Sequence, residues 1–137
     1  MRKKIDMDIV KIEIEHQLQS TSRNIVWRLI STPEGLARWI ADSVALDGDA
    51  LTFGWGDTWR HHETRRATLQ RMERYNRVRW HWDDDTDGTY VEIRMERSPI
   101  SGELTLRITD FAQPDDEEWL RSAWRHNFDT LHRRSGM

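Results

Sequence analysis

The chain has 137 residues, of which 36% are hydrophobic and 33% charged, with a formal net charge of -3; this is room for one core that buries roughly two thirds of the unfolded surface, and not for a second. Basic residues are interleaved with acidic ones rather than gathered into a stripe, which argues against nucleic acid as a partner. The chain contains no cysteine, so disulfides, thiolate metal sites and cysteine nucleophiles are excluded, and neither a run of roughly 18 apolar residues nor a secretory leader after Met1-Arg2-Lys3-Lys4 is present, so a cytoplasmic protein without a membrane span is expected.

Val10, Ile12, Ile14 and Leu18 alternate with Lys11, Glu13, Glu15 and Gln17, leaving His16 in an inward slot. Period two over this length predicts a half-buried strand. Ser20, Thr21 and Ser22 then offer capping hydroxyls to a helix carrying Ile25, Val26, Leu29 and Ile30, with Trp27 on its flank. Pro33 ends that helix and suits the first turn of a second, Pro33 to Ile40, whose Leu36, Trp39 and Ile40 share a face. Val44–Leu46 and Leu51–Trp55 flank Asp47-Gly48-Asp49 and read as a hairpin in which Gly48 takes positive φ.

Three further strands are predicted at roughly Trp59–Met72, Arg77–Trp82 and Thr89–Arg97, and a last one at Glu103–Thr109 after Ser98-Pro99-Ile100-Ser101-Gly102. The first of these is too long to be regular throughout. Sequential antiparallel hairpins are the simplest connection. The C-terminal helix opens after Pro114 with Asp115, Asp116, Glu117 and Glu118 and closes with Arg133 and Arg134 before Gly136, matching the macrodipole at both ends. Leu120, Ala123, Trp124, Asn127, Phe128 and Leu131 form one stripe along roughly 30 Å of that helix, expected to face the sheet.

Eight tryptophans in so short a chain are unusual, and several fall on inward slots: Trp55 beside Phe53, and Trp80 and Trp82 beside Val78. Such rings either fill the core between sheet and helix or line a cavity for an apolar or flat ligand. Asn127 is a polar residue within the apolar helical stripe and must find a hydrogen bond there if buried. His61 and His62 are strand neighbours that point to opposite faces, so they cannot chelate one metal together, and His81 falls on the face opposite Trp80 and Trp82. Asp83-Asp84-Asp85 lacks the ligand pattern of a calcium loop and reads as a solvated turn. No nucleophile elbow or phosphate-cradling glycine loop is found, and no metal or cofactor is expected.

The order of strand, two short helices, several antiparallel strands and a long C-terminal helix resembles the helix-grip fold of the START-like or SRPBCC superfamily. Residues Ile25 to Ile40, with Pro33-Glu34-Gly35-Leu36-Ala37-Arg38-Trp39 at their centre, resemble the branch related to the activator of the heat-shock-protein-90 ATPase. Leu51-Thr52-Phe53-Gly54-Trp55, Val78-Arg79-Trp80-His81-Trp82 and Ile108-Thr109-Asp110-Phe111-Ala112 resemble a bacterial subgroup of it. The resemblance implies a single α+β domain over residues 1–137, with a curved antiparallel sheet of six or seven strands gripping the long helix and a hydrophobic cavity between them.

The expected function is therefore binding of a small apolar, aromatic or lipid-like molecule, with Trp39, Phe53, Trp55, Trp80, Trp82, Trp124, Asn127 and Phe128 as the ligand-binding set. One alternative is a cyclase- or hydrolase-type enzyme using His61 or His62 as acid or base, with Glu63 or Asn127 orienting the substrate. The other is a co-chaperone-like module that presents Arg60 to Arg71 to an acidic protein partner.

Overall fold

The computed structural model describes residues 8–57 and 61–137. The first strand, β1 (Val10–Gln17), leads through Leu18 into two short helices, α1 (Arg23–Ser31) and α2 (Pro33–Leu36). Six strands follow, β2 (Ser43–Asp47), β3 (Ala50–Asp57), β4 (His61–Glu73), β5 (Arg77–Trp82), β6 (Val91–Arg97) and β7 (Leu104–Ala112), and a single 3-10 turn at Pro114–Asp116 opens the long helix α3 (Glu117–Ser135). All strands join one seven-stranded sheet in the order β1-β7-β6-β5-β4-β3-β2. Every neighbouring pair is antiparallel, so the fold is the expected α+β helix-grip arrangement.

Local chemistry explains the helical excursion. Ser22 caps α1 by accepting the Ile25 amide at 3.4 Å, and Val26, Leu29 and Ile30 then fall on one buried face. Thr32 caps α2 by accepting the Gly35 amide at 3.0 Å while donating to Arg28 O at 2.7 Å, so one hydroxyl closes α1 and opens α2. Only Pro33–Leu36 is α-helical. The predicted continuation to Ile40 is a run of turns, with Trp39 N donating to Leu36 O at 3.3 Å and Ile40 N to the same oxygen at 2.9 Å. Leu36, Trp39 and Ile40 are nonetheless all buried, as the shared face predicted.

The sheet's inner face carries Ile12, Leu51, Phe53, Ala67, Val78, Trp80, Trp82, Val91, Ile93, Leu106 and Ile108, all buried. Its register places Ile108 opposite Ile14 on one side and Ile93 on the other. The long strand β4 is irregular, with its register against β5 shifting between Leu69 and Arg71, a bulge of the kind that bends a sheet. The hairpin turn at Gly48 has φ 63. At one end β7 extends beyond the expected Thr109 to Ala112, and this brings Asp110 into the next inward slot after Leu106 and Ile108. On the outer face Glu92 is almost covered by Arg77, Arg79 and Arg94, whose guanidinium nitrogens lie 3.4, 2.7 and 3.3 Å from it.

Helix α3 lies across the inner face with Trp124, Phe128 and Leu131 buried. Gly136 ends it in the left-handed conformation at φ 75, donating to His132 O at 2.8 Å. The chain end is pinned beside the start of the excursion, where Gln19 N donates to Met137 O at 3.1 Å.

Candidate functional site

The predicted aromatic residues assemble into two groups between the sheet and α3. In the first, Trp39 lies 5.6 Å from Phe128 and 6.1 Å from Trp124, and His16 of β1 stacks on the other side of Phe128 at 4.5 Å. In the second, Phe53 is ringed by Trp82 at 4.9 Å, Trp80 at 5.2 Å and Trp55 at 6.1 Å. Phe53 and Trp80 have no exposed surface, and Trp39, Trp124 and Phe128 have very little, so these rings pack on one another through the centre of the molecule.

Buried indoles need acceptors, and three find them. Trp39 Nε1 donates to Leu29 O at 3.0 Å, Trp55 Nε1 to Ile40 O at 2.9 Å and Trp124 Nε1 to Asp110 Oδ2 at 2.9 Å. The buried indole N–H of Trp80 has no partner among the described residues, at a cost of about 1 to 3 kcal/mol.

Space opens at the two ends of this aromatic mass. At one end, a cleft of about 370 Å³ lies between the C-terminal half of α3 and the segment that joins α2 to β2. Trp39 and Trp55 form its floor, Asn127, His126 and Thr130 come from α3, and Arg38, Arg133, Arg134 and Asp42 stand around it. Asn127 is half-buried, and its carboxamide makes no hydrogen bond to a described residue. Arg38 and Arg134 brace the two elements reciprocally: Arg38 Nη2 donates to Arg134 O at 2.8 Å, and Arg134 Nη1 donates to Arg38 O at 3.2 Å.

At the other end a smaller pocket, about 190 Å³, is lined by Trp82, Arg65, Asp85, Thr89, Asp110 and the exposed Trp119 among others. Burial pushes the Asp110 carboxyl up to about 6, although the Trp124 indole, the Phe111 amide at 2.8 Å and the nearby Arg65 pull it down. Arg65 lies over the Trp82 ring at 4.1 Å and chelates Asp84, with Nη2 2.8 Å from Oδ1. A carboxyl that titrates close to neutrality in a pocket can hold or release a proton there.

The histidines are dispersed. His62 is exposed and lies on the outer face opposite Gly56, and His81 Nδ1 is 2.7 Å from Thr89 O. His16 is held below its ordinary value, chiefly by burial. Expectations that fall on Trp59, Arg60 and the His61 side chain lie outside the described residues. Among the described residues no three His, Asp or Glu side chains converge as a metal set, and no helix is long and apolar enough to cross a membrane.

The family model of the START-like superfamily domain matches residues 6–136, almost the entire chain. The chain belongs to the START-like superfamily. A solution structure from Bacteroides fragilis is 39% identical over 93% of this chain and 91% of its own, with a TM-score of 0.63. The START-like fold also aligns with the Aha1 dimer from Colwellia psychrerythraea, at 14% identity, 89% and 92% coverage and a TM-score of 0.67. An AHSA1-like protein from Aeromonas hydrophila aligns at 19% identity, 91% coverage of each chain and a TM-score of 0.69. At these lower identities the likeness is one of fold, and it agrees with the branch resemblance read from residues 25–40. No curated protein matches the chain.

Most of the polar components of the two openings were not among the expected residues. Asp110 could have been found by continuing the alternation Leu104, Leu106, Ile108 by one step. Arg38 and Arg134 meet across 96 positions, and no local signal marks them as neighbours.

Proposed function

We propose that this START-like domain binds a small apolar or aromatic molecule in the cleft beneath the C-terminal half of α3. Trp39 and Trp55 supply the flat floor, and Asn127 supplies a directional polar contact. Of the eight residues of the expected set, Trp39, Trp55 and Asn127 line this cleft and Trp82 lines the smaller pocket, whereas Phe53, Trp80, Trp124 and Phe128 line neither and are packed into the aromatic core.

The observation that carries this reading is the combination of two indoles locked by backbone hydrogen bonds with a carboxamide that has no partner among the described residues, around an opening of about 370 Å³. The volume falls at the lower end of the range of about 300 to 1,000 Å³ usual for ligand sites, with an apolar part made by Trp39, Ile40, Ala41 and Trp55 and a larger polar rim. Locked indoles lose little entropy on binding, which favours affinity.

Titration of intrinsic tryptophan fluorescence and thermal-shift measurement against a panel of aryl, alkyl and lipid compounds tests the proposal. A ligand present at about 100 times its Kd should stabilise the fold by roughly 2.7 kcal/mol. Trp55→Ala should weaken that ligand at least tenfold. A panel with no stabilising member, or stabilisation indifferent to Trp55→Ala and to Asn127→Leu, would overturn the assignment.

A further inference from the structure

We infer that the molecule taken by this cleft carries an anionic head, a carboxylate or its equivalent, on its apolar or aromatic body. The inference rests on the ligand-binding reading above and adds the chemical class. Three guanidinium groups, those of Arg38, Arg133 and Arg134, line the cleft against one carboxylate, Asp42. One oxygen of that carboxylate is already engaged, because Asp42 Oδ2 accepts the Gly56 amide at 2.7 Å. The cleft is thus cationic in a chain whose formal net charge is -3.

Elsewhere on the molecule six arginines are neutralised where they stand. Arg65 pairs with Asp84, Arg77 with Glu73, Arg79 and Arg94 with Glu92, Arg107 with Glu15 and Arg121 with Glu117. Others, such as Arg28, Arg66 and Arg125, stand singly on the surface without a carboxylate partner among the described residues; the three at the cleft differ in converging on one opening. Around the cleft, none of the three arginines has a carboxylate within salt-bridge distance among the described residues. Their hydrogen bonds go to carbonyls and a hydroxyl: Arg38 to Arg134 O, Arg134 to Ala37 O and Arg38 O, and Arg133 to Asp129 O at 3.4 Å and Thr130 Oγ1 at 3.3 Å.

Part of that arrangement caps helix ends, since carbonyls at the close of α3 and of the α2 turn attract cations. Capping leaves donors over. A guanidinium has five N–H groups in a planar fork, and the bonds above occupy one or two nitrogens on each. The remaining donors border the same opening as the free Asn127 carboxamide, so an oxyanion entering between them meets several charge-assisted hydrogen bonds. The indole floor of Trp39 and Trp55 then receives the rest of the molecule. One end of the cleft selects for charge and the other for shape.

Matched pairs of compounds separate the two ends. The full chain would be titrated at low salt with 2-naphthoate and 2-naphthamide, and with several aryl and alkyl carboxylate and amide pairs of graded length. The expected result is at least tenfold tighter binding of the acid in a pair, about 1.4 kcal/mol, with the advantage shrinking as salt is raised. Arg133 braces no second element, so Arg133→Gln should lower the melting temperature of the unliganded protein only slightly, by the loss of one cation at the helix end, while narrowing the gap between acid and amide severalfold. Arg38→Lys should keep part of the gap because it keeps the charge. Equal affinity of acid and amide, or a gap that survives Arg133→Gln and Arg38→Gln undiminished, would overturn the anionic head and leave the aromatic cleft standing. Failure of every pair in both forms would remove the cleft as a ligand site, and this inference with it.

Discussion

Asp110 shows how a single side chain links the sheet, the helix and the solution pH. Its Oδ2 accepts from Trp124 at 2.9 Å and its Oδ1 from the Phe111 amide at 2.8 Å, and burial raises it from 3.8 to about 6. The groups facing it are Arg65 from β4 and, across the pocket, Asp85 and Asp116. In the unfolded chain the carboxyl ionises near 3.8, so above pH 6 the folded state carries the cost of a buried charge, and that cost is relieved as pH falls from about 6 toward 3.8. Two pKa units correspond to roughly 3 kcal/mol. His16 acts in the opposite sense: its folded value is lowered, so its contribution is present above its ordinary 6.5 and is lost as pH falls from there through the lowered folded value. Asp110→Asn isolates the carboxyl. Urea denaturation at pH 8 and at pH 4 should find the variant gaining on the parent at pH 8, relative to pH 4, by roughly 2.5 kcal/mol, since the unfolded carboxyl is already partly ionised at pH 4. A constant difference between the two pH values would show that the carboxyl is not buried as described.

At the scale of elements, the junction of α1 and α2 carries the cleft's geometry, because Trp39 and Ile40 follow it directly. Gly35 permits that junction. A Cβ there would lie 1.9 Å from Arg28 O and 2.7 Å from Leu29 Cα, contacts with backbone that no rotamer can relieve. Gly35→Ala should therefore cost at least 2 to 3 kcal/mol by overpacking, rather than the few tenths gained when a glycine is replaced at a permissive site. It should also weaken whatever ligand the cleft takes, since α2 cannot keep both its contact with α1 and its position under α3; denaturation and titration on one preparation check both. Much at this scale was legible in the sequence. The alternation from Val10 to Leu18 and from Arg77 to Trp82 located β1 and β5, and the stripe through Trp124, Phe128 and Leu131 located the buried face of α3. Periodicity reports which side of an element is apolar, so it carried these assignments. It could not report that Pro33–Ile40 would unwind after Leu36, because the same side chains are buried in a turn as in a helix. Nor could it divide the eight candidate residues between openings and core, which depends on where α3 ends relative to β3.

For the whole molecule, the sheet is graded from a secure side to an open one. β7 and β6 are buried along most of their length and sit between other strands, whereas β2, one of the two edge strands, is exposed at all but one position and pairs only with β3. Native proteins open locally where few apolar contacts hold the backbone, so amide exchange should be slowest at Leu106, Ile108 and Ile93 and fastest, within the sheet, along Ser43–Asp47. The proposed cleft lies at that open side, with Trp55 on β3 tied to Ile40 and the Asp42 amide tied to Gly54 O at 2.9 Å. A ligand there bridges α3 to the segment preceding β2, and binding to the closed form alone must suppress its opening. Exchange followed with a saturating ligand should therefore slow first in residues 37–57 and in the last two turns of α3, while the centre of β7 changes only as far as global stability rises. If added protection instead falls around Asp85, Asp110 and Trp119, the smaller pocket is the site of binding, and the large cleft serves only to join two helix ends.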